Sequence, residues 1–242
     1  MDINYKYSNL ASFASKDDNF LGRKYPYTES KYRGEFQRDR DRVIHSNSFR
    51  RLKFKTQVFV YYEGDHFRTR LTHSLEVSQI ARSVARVLNL NEDLCEVLSL
   101  AHDLGHTPFG HAGEAALSNC LKNDCFDHNI QSLRILILLE DSYKNQKGLN
   151  LSLNCIDGLL KHNGPIKNLN IIKNQLPEIL DYKINFKNSG SLEAQISSLS
   201  DDIAYNCHDI DDGLRAGLFD IKDLLELEYL RKIFQNDLKI SK

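Results

Sequence analysis

The sequence predicts a mainly α-helical fold, a single helical bundle with a short β-hairpin-like segment near residues 56–65. Apolar residues recur at helical spacing along most of the chain, whereas only residues 56–62 combine β-branched and aromatic side chains as a strand does. The composition, 41% hydrophobic and 27% charged, is typical of a soluble globular protein, and 242 residues are enough to bury a sizeable core. No apolar run approaches the ~20 residues that a membrane span requires.

The first part of the chain predicts an arm, a helix and a strand before a strongly amphipathic helix. Residues 1–36 have an irregular pattern dotted with aromatic side chains, and residues 37–53 are expected to be helical. The strand at 56–62 stops at Glu63-Gly64-Asp65, which is a turn sequence. Residues 71–88 then carry apolar side chains at helical spacing, so we expect one face of this helix to be buried.

Start and stop signals predict four more helices in the middle of the chain. They cover residues 92–104, 108–121, 126–140 and 151–162. Asn91 can cap the first of them and Gly105 can end it. Pro108 suits the start of the second, and Asn163-Gly164-Pro165 ends the last.

The remaining sequence predicts a connector and two further helices. Residues 166–190 are weakly patterned and are expected to be a variable connector. A helix resumes at Ser191, and its apolar stripe, which includes Leu199 and Ile203, is expected to face the core. The last helix is predicted at residues 221–234.

The distribution of charge restricts the possible classes of function. Eight basic residues and three acids lie between Arg33 and Lys55, and ten acids and two basic residues lie between Glu193 and Glu228. A basic stretch attracts phosphates and an acidic one can hold a cation, although two solvated helix faces would show the same pattern. A pI of about 6.8 disfavours a protein that binds DNA through a basic patch alone.

The five cysteines form no C-x-x-C pair, which disfavours a disulfide framework or a structural zinc site. The polar N-terminus has no apolar core of a signal peptide, so we expect a cytoplasmic protein without membrane partners.

Histidines carry the strongest chemical signal in the sequence. Three of the nine, His102, His106 and His111, fall within eleven residues, beside Asp103, and His73 precedes them. Imidazole and carboxylate groups together suit divalent ions such as Mn, Fe, Co, Ni, Zn or Mg. The partial negative charge at a helix C-terminus near His102 also favours a cation.

Two observations leave the metal interpretation open at this point. His73 lies on the apolar face of its helix, where a lone histidine is more often a hydrogen-bonded core residue than a ligand. On the helix from Ser191, the residues Asp201, Tyr205 and Asp209 share a face opposite the apolar stripe, and acids placed there usually face water.

The order of these residues, His73, then His102-Asp103, then Asp201, matches the H…HD…D order of a known superfamily. Longer strings occur in the same order: FRRL (49–52), KTQVF (55–59), RTRLTHSLEV (68–77), HDLGHTPFGHAGE (102–114), HNIQS (128–132) and DDIAYNCHD (201–209). Together they resemble the dGTP triphosphohydrolase (dGTPase) branch of the HD phosphohydrolases over roughly residues 33–218.

The resemblance implies a division of the chain and a metal site. Residues 1–36 would be an arm, 37–218 an HD-type phosphohydrolase domain, and 219–242 a C-terminal helix, after which chains of that family usually continue with further helices; a fragment, a shortened member and a remnant of a longer gene are all open. His73, His102, Asp103 and Asp201 would hold one divalent metal ion, such as Mn or Mg. Asp202 is a rival for the fourth position.

The resemblance also implies a reaction, which is hydrolysis of dGTP or a wider set of deoxynucleoside triphosphates (dNTPs) to a deoxynucleoside and intact triphosphate. His111, Glu114 and His128 would transfer protons and position the nucleophile. The residues expected to bind substrate are Arg50, Gln57, Arg70, His106, Tyr205 and Asp209. Tyr205 and Asp209 would lie against the deoxyribose and disfavour a ribose.

Two other functions remain open from the sequence. One is an HD phosphohydrolase that acts on another nucleotide, although the arginine-rich strings disfavour a substrate with a single phosphate. The other is a catalytically weak protein that binds metal together with dNTP or single-stranded nucleic acid. The resemblance further implies a homo-oligomer.

Overall fold

The computed structural model describes residues 9–16, 19–60, 64, 66–121 and 125–236. Within these ranges the chain is mainly helical, which confirms the predicted fold class, and its only β-pairing consists of two isolated antiparallel bridges. The chain divides into two compact units, Met1–Ala204 and Tyr205–Lys242. None of the described helices is both long and apolar enough to cross a membrane.

The α-helices lie in the following order. They are α1 (Glu35–Ile44), α2 (Asn47–Arg51), α3 (Arg70–Val87), α4 (Glu92–Ala101), α5 (Gly110–Cys120), α6 (His128–Arg134), α7 (Leu153–Leu160), α8 (Leu169–Gln175), α9 (Leu192–Arg215), α10 (Ile221–Glu226) and α11 (Glu228–Asn236). Short 3-10 helices cover Leu52–Phe54 and Pro177–Asp181, and a π-helical turn, Ile135–Leu139, continues α6.

Two of the predicted helices are interrupted in the structure. The helix predicted at 37–53 is divided between α1 and α2, because Ser46 adopts an extended backbone and its hydroxyl accepts from the backbone N–H of Phe49. Such an N-cap starts a new helix. The helix predicted at 221–234 is likewise divided, since Leu227 between α10 and α11 has an extended backbone.

The connector and the hairpin-like segment also differ from their predictions. Residues 166–190 contain α8, capped by the Asn168 side chain, and a 3-10 helix, so this segment is more regular than its composition indicates. The described part of the predicted strand, residues 56–60, forms one antiparallel bridge, from Thr56 to Thr69, because no neighbouring strand extends the pairing there. Residues 61–63 and 65 of the predicted segment lie outside the described residues.

The core of the first unit surrounds α4. This helix packs against α1, α3 and α7, and its side chains Leu94, Val97, Leu98 and Leu100 are buried. Asn91 caps its start by accepting from the backbone N–H groups of residues 93 and 94. Because α4 is held on several sides, the turn at its C-terminus, which carries His102 and Asp103, has a fixed position.

The helix α9 buries the face opposite to the predicted one. Leu199 and Ile203 of the apolar stripe are 51% and 41% exposed, whereas Glu193, Ser197 and Ser200 are buried. Two of these buried polar side chains have partners: Glu193 accepts from the backbone N–H and the hydroxyl of Ser15, and the hydroxyls of Ser197 and Ser99 lie 3.0 Å apart. Buried hydrogen bonds of this kind offset the cost of desolvation, which periodicity alone does not reveal.

The second unit contains the end of α9 together with α10 and α11. Asp220 caps α10 through the backbone N–H groups of residues 222 and 223. Gly213 lies against the ring of Phe219, where an added Cβ would come within 2.6 Å of ring carbons.

Candidate metal centre and histidine cluster

His102 lies in the turn after α4 with one ring nitrogen committed and the other unpaired. Its Nδ1 lies 2.6 Å from the carbonyl oxygen of Ser99. Because a carbonyl oxygen only accepts, Nδ1 carries the hydrogen and Nε2 of the neutral ring has a lone pair. Nε2 is buried and has no hydrogen-bond partner among the described residues.

The predicted ligands converge around this nitrogen. Nε2 of His102 lies 3.6 Å from Oδ2 of Asp103 and 3.5 Å from Oδ1 of Asp201. His73, on α3, places its Nε2 2.8 Å from the same Oδ1 of Asp201. Asp201 is half-buried here, whereas Asp202 is exposed, so the geometry favours Asp201 over its rival.

The electrostatics of this group show mutual stabilisation of opposite charges. Burial lowers the pKa of His102, but the carboxylates of Asp103 and Asp201 more than offset it and raise this pKa to about 9. Burial raises the pKa of each carboxyl, yet the charge of His102 together with the other neighbouring donors and cations outweighs burial and holds the pKa of both Asp103 and Asp201 well below the usual range. A proton on His102 therefore takes the place of a cation between the two carboxylates.

These residues fit a divalent ion. The buried Nε2 of His102 faces two ionised carboxylates and would offer its lone pair to an ion that displaces the proton. Donor atoms of His73, His102 and Asp103 lie within 4.8 Å of one another. An unpaired buried nitrogen is costly unless a ligand satisfies it. Imidazole nitrogen with carboxylate oxygen is a donor set that borderline and hard divalent ions accept.

Two basic residues, Arg70 and Lys55, lie next to the proposed metal ligands. Nη1 of Arg70 donates to Oδ2 of Asp103 at 2.5 Å, and this arginine is buried. Lys55 donates from Nζ to the carbonyl oxygen of Leu104 at 2.9 Å. Burial and the nearby charges of Arg51 and Arg70 lower the pKa of Lys55 to about 8.

A second cluster contains His106, His111, Glu114 and His128. Oε1 of Glu114 accepts from the backbone N–H of His128 and lies 3.0 Å from its Nδ1, while Oε2 lies 3.3 Å from Nδ1 of His111. The rings of His106 and His128 stack with centroids 4.2 Å apart. One carboxylate thus orients two imidazoles, an arrangement suited to proton transfer.

The members of this cluster differ in exposure and charge. The side chain of His111 is 76% exposed, so it faces solvent. His106 is buried, and burial with the positive charge of Arg70 lowers its pKa to about 3 despite the opposing effect of Asp103. Burial raises the pKa of Glu114, but the hydrogen bonds and the charge interaction with His128 outweigh burial, so the net pKa is lowered.

The local sequence explains how the two clusters become neighbours. Asp127 caps α6 and thereby fixes His128 at its first position. Ser132 then bridges to the α4 turn, since its hydroxyl donates to the carbonyl oxygen of His102 and accepts from the N–H of Gly105, both at 2.8 Å. A Cβ on Gly105 would lie 2.2 Å from the backbone nitrogen of Ser132, so only glycine permits this approach.

The turn that leads into α5 is equally tight. Phe109 and Gly110 both have positive φ, 65° and 55°, and the hydroxyl of Thr107 donates to the carbonyl oxygen of Gly110 at 2.8 Å. A Cβ on Gly113 would lie 2.0 Å from the carbonyl oxygen of Pro108. This turn reverses the chain so that His111 and Glu114 face His128.

The other predicted substrate residues have different surroundings. Arg50 is exposed on α2, where its guanidinium donates to Asn47 and to the carbonyl oxygen of His45. Gln57 has a buried side-chain oxygen without a partner among the described residues. In the second unit, Tyr205 is 44% exposed and hydrogen-bonds to Asp209.

His162 is a neighbour of the metal centre that the sequence did not identify. It follows α7, is buried, and places Nε2 3.4 Å from Oδ2 of Asp201. Its only sequence signal is a histidine at the end of an apolar helix before the Asn163-Gly164-Pro165 stop. The predicted end of the helix already accounts for a polar residue at this position, so the sequence gives His162 no separate role.

Comparison with known proteins gives one family and a set of relatives. Residues 70–206 match the HD domain model, which includes all four predicted metal ligands. The chain is 61% identical to a protein of Pelagibacter ubique over 95% of this chain and 61% of the relative. It is 56% identical to a protein of Parvibaculum lavamentivorans, over 93% and 58% of the two chains, and 52% identical to one of Brucella suis, over 96% and 60%.

Each of these relatives is named a deoxyguanosinetriphosphate triphosphohydrolase-like protein. The chain described above spans about 60% of the length of these curated relatives.

Proposed function

This chain belongs to the HD domain family, and from that premise we propose that it hydrolyses deoxynucleoside triphosphates, dGTP among them, to a deoxynucleoside and intact triphosphate. The observation that carries the proposal is the unpaired, buried Nε2 of His102 between two ionised carboxylates, next to a carboxylate that orients two imidazoles. The first group suits a cation at a phosphate, and the second suits proton transfer. The names of the relatives support the substrate class.

His73, His102, Asp103 and Asp201 would hold the ion. When bound, a divalent ion supplies positive charge beside the phosphorus that is attacked. The hydrogen bond from His102 Nδ1 to Ser99 fixes the ring so that Nε2 faces inward. Arg70 keeps Asp103 ionised and oriented through its hydrogen bond to Oδ2.

In this proposal His111, Glu114 and His128 handle the protons. Glu114 contacts both imidazoles, so it holds each ring in place. The exposed ring of His111 is accessible to a substrate that enters from solvent. His106 is uncharged at neutral pH because its pKa is about 3, so it can contact phosphate only as a neutral hydrogen-bond donor.

The cations near the site would bind the triphosphate. Arg70 offers a guanidinium that matches phosphate geometry, and Lys55 lies on the same side. Arg50 and Gln57 keep the substrate-binding roles that the family resemblance implies. The roles of Tyr205 and Asp209 at the deoxyribose stay a prediction, which comparison of dGTP with GTP turnover tests.

The decisive experiment separates the products formed from each of the four dNTPs and from GTP, in Mn²⁺ and in Mg²⁺. We expect deoxynucleoside and intact triphosphate from the wild type, and a loss of at least about 100-fold in the Asp103→Ala variant. The matched control is Asp141→Ala, which removes an exposed aspartate and should leave turnover unchanged.

Other products would redirect the assignment. Orthophosphate or pyrophosphate would contradict attack at the α-phosphorus while leaving the family unaffected. Metal binding and dNTP binding without turnover would contradict the enzymatic proposal and favour a protein that binds nucleotide or single-stranded nucleic acid.

A further inference from the structure

His162 is fixed in place by the turn that ends α7. The N–H of Gly164 donates to the carbonyl oxygen of Lys161 at 2.9 Å, and Gly164 has a φ of 93°. Lys161 is itself buried and forms an ion pair with Asp157, one helical turn earlier, at 2.5 Å. The imidazole of His162 therefore approaches the centre from a rigid support.

The ring of His162 contacts two of the proposed metal ligands. It stacks on His102 with centroids 5.1 Å apart and an interplanar angle of 27°. Its Nε2 lies 3.4 Å from Oδ2 of Asp201, while Oδ1 of the same carboxylate lies 2.8 Å from His73. The two oxygens of Asp201 thus have different neighbours, and His162 is on the side away from His73.

We propose that His162 is a positioning residue of the metal centre, which holds Asp201 by Oδ2 so that Oδ1 stays directed toward His73 and His102. A carboxylate ligand with one oxygen hydrogen-bonded to a fixed donor binds metal through the other and loses little freedom on binding. The stacked ring also keeps the imidazole of His102 from rotating about its Ser99 hydrogen bond. The inference rests on one part of the proposed function, which is that the centre binds a divalent ion.

The same contacts admit one rival role, that of a direct ligand. Donor atoms of His102, His162 and Asp201 also lie within 4.8 Å of one another. Positioning is favoured because His162 faces the carboxylate oxygen that His73 does not share. The absorption spectrum of bound Co²⁺ separates the two roles, since loss of a ligand changes the coordination and hence the visible bands.

The experiment measures Co²⁺ binding by the full chain. The variants are His162→Ala and His162→Gln, which retains an N–H donor, and the control is His45→Ala, at an exposed histidine outside the centre. We expect Co²⁺ affinity to fall about 10–100-fold in His162→Ala and to recover mostly in His162→Gln, with the band positions of the wild type kept in both. The melting temperature of each chelated protein shows whether a variant folds. If His162→Ala does not fold, the Co²⁺ affinity and bands of His162→Gln decide the question.

Three results would overturn the inference. They are an affinity of His162→Ala within twofold of the wild type, a change of the visible bands that indicates a lost ligand, and a wild-type protein that binds no Co²⁺. A wild type that binds Co²⁺ but hydrolyses no dNTP would overturn the proposed function alone, because the affinity comparison would still test His162.

Discussion

At the scale of single residues, His102 balances the charge of the two carboxylates that it faces. Its Nε2 faces the carboxylates of Asp103 and Asp201, whose charge raises its pKa to about 9 despite burial. The bound proton neutralises part of the charge that an ion would otherwise neutralise. In the proposed metal centre, an ion and a proton would therefore compete for one nitrogen.

This competition predicts how the chelated protein responds to pH. The folded pKa of His102, about 9, is above its ordinary value of 6.5, so its contribution to stability is complete below about pH 6.5 and is lost as pH rises toward 9. We expect the melting temperature of the chelated protein to fall over this interval and the fall to be smaller in His102→Asn. Differential scanning calorimetry from pH 6 to 9.5 measures it; a melting temperature that rises over this interval would contradict the assignment.

The sequence predicts the four proposed ligands but gives no role to His162. His73, His102, Asp103 and Asp201 were recognised because they stand within strings that resemble a family. His162 lies in a turn, 39 residues before its partner Asp201, and no periodic pattern connects the two. A contact of this kind depends on tertiary packing, and no local pattern in a single sequence predicts it.

At the scale of secondary-structure elements, helix type was more predictable than helix faces and ends. The helix predicted at 71–88 differs from α3 by one residue at each end, since its apolar period is regular. The face of α9 was predicted wrongly, because its buried side chains include Ser197 and Glu193, which have partners in α4 and in the N-terminal segment. Small hydroxyl side chains there let α9 lie close to α4, which brings Asp201 near His102.

Glycine at position 105 sets the distance between the α4 turn and α6. In Gly105→Ala the Cβ would meet the backbone of Ser132 and the carbonyl oxygen of His128 at 2.2 and 2.3 Å, so α6 must shift. We expect a loss of more than about 3 kcal/mol in the free energy of unfolding by urea denaturation, because backbone atoms cannot rotate away.

The control is Gly217→Ala, where nothing lies within 4 Å of the added Cβ and φ is 68°. Its cost should be about 1–2 kcal/mol, the cost of a left-handed backbone alone. Equal losses in the two variants would show that α6 is not pressed against the turn.

At the scale of the whole molecule, buried ion pairs hold the N-terminal segment to the rest of the first unit. The side chains of Arg23 and Asp39 are fully buried and paired, and Asp39 also accepts from the backbone N–H of Ser152 at 3.0 Å. Arg23 forms in addition an isolated β-bridge to Ser152. Segments more than 100 residues apart in the sequence are thereby joined.

Removal of Arg23 should therefore destabilise the whole first unit. The Arg23→Met variant leaves the buried charge of Asp39 without its main partner, and we expect a loss of about 3–5 kcal/mol in unfolding free energy. The matched variant Lys24→Met removes a surface pair with Asp181 and should cost below about 1 kcal/mol. Chemical denaturation of both variants measures their unfolding free energies. Similar denaturation midpoints would refute a stabilising role for the buried pair of Arg23 and Asp39.

The overall class was predictable because it follows from composition and period, whereas the joining of distant segments was not. Nothing in the sequence near Arg23 distinguishes it from the arginines at 33, 38 and 40. Its burial depends on Asp39 and on the loop at Asn150, whose carbonyl oxygen it also contacts at 2.9 Å. Such contacts are visible only once the chain is folded.

The spread of the proposed ligands along the chain has a consequence for biosynthesis. Asp103 and Asp201 are 98 residues apart (201 − 103), and ribosomes add about 5–20 residues per second. Two imidazoles and one carboxylate thus leave the ribosome about 5–20 seconds before the last carboxylate is made. During that interval the nascent chain would offer an incomplete donor set, so the proposed centre would discriminate among cellular ions only after α9 has been synthesised and docked.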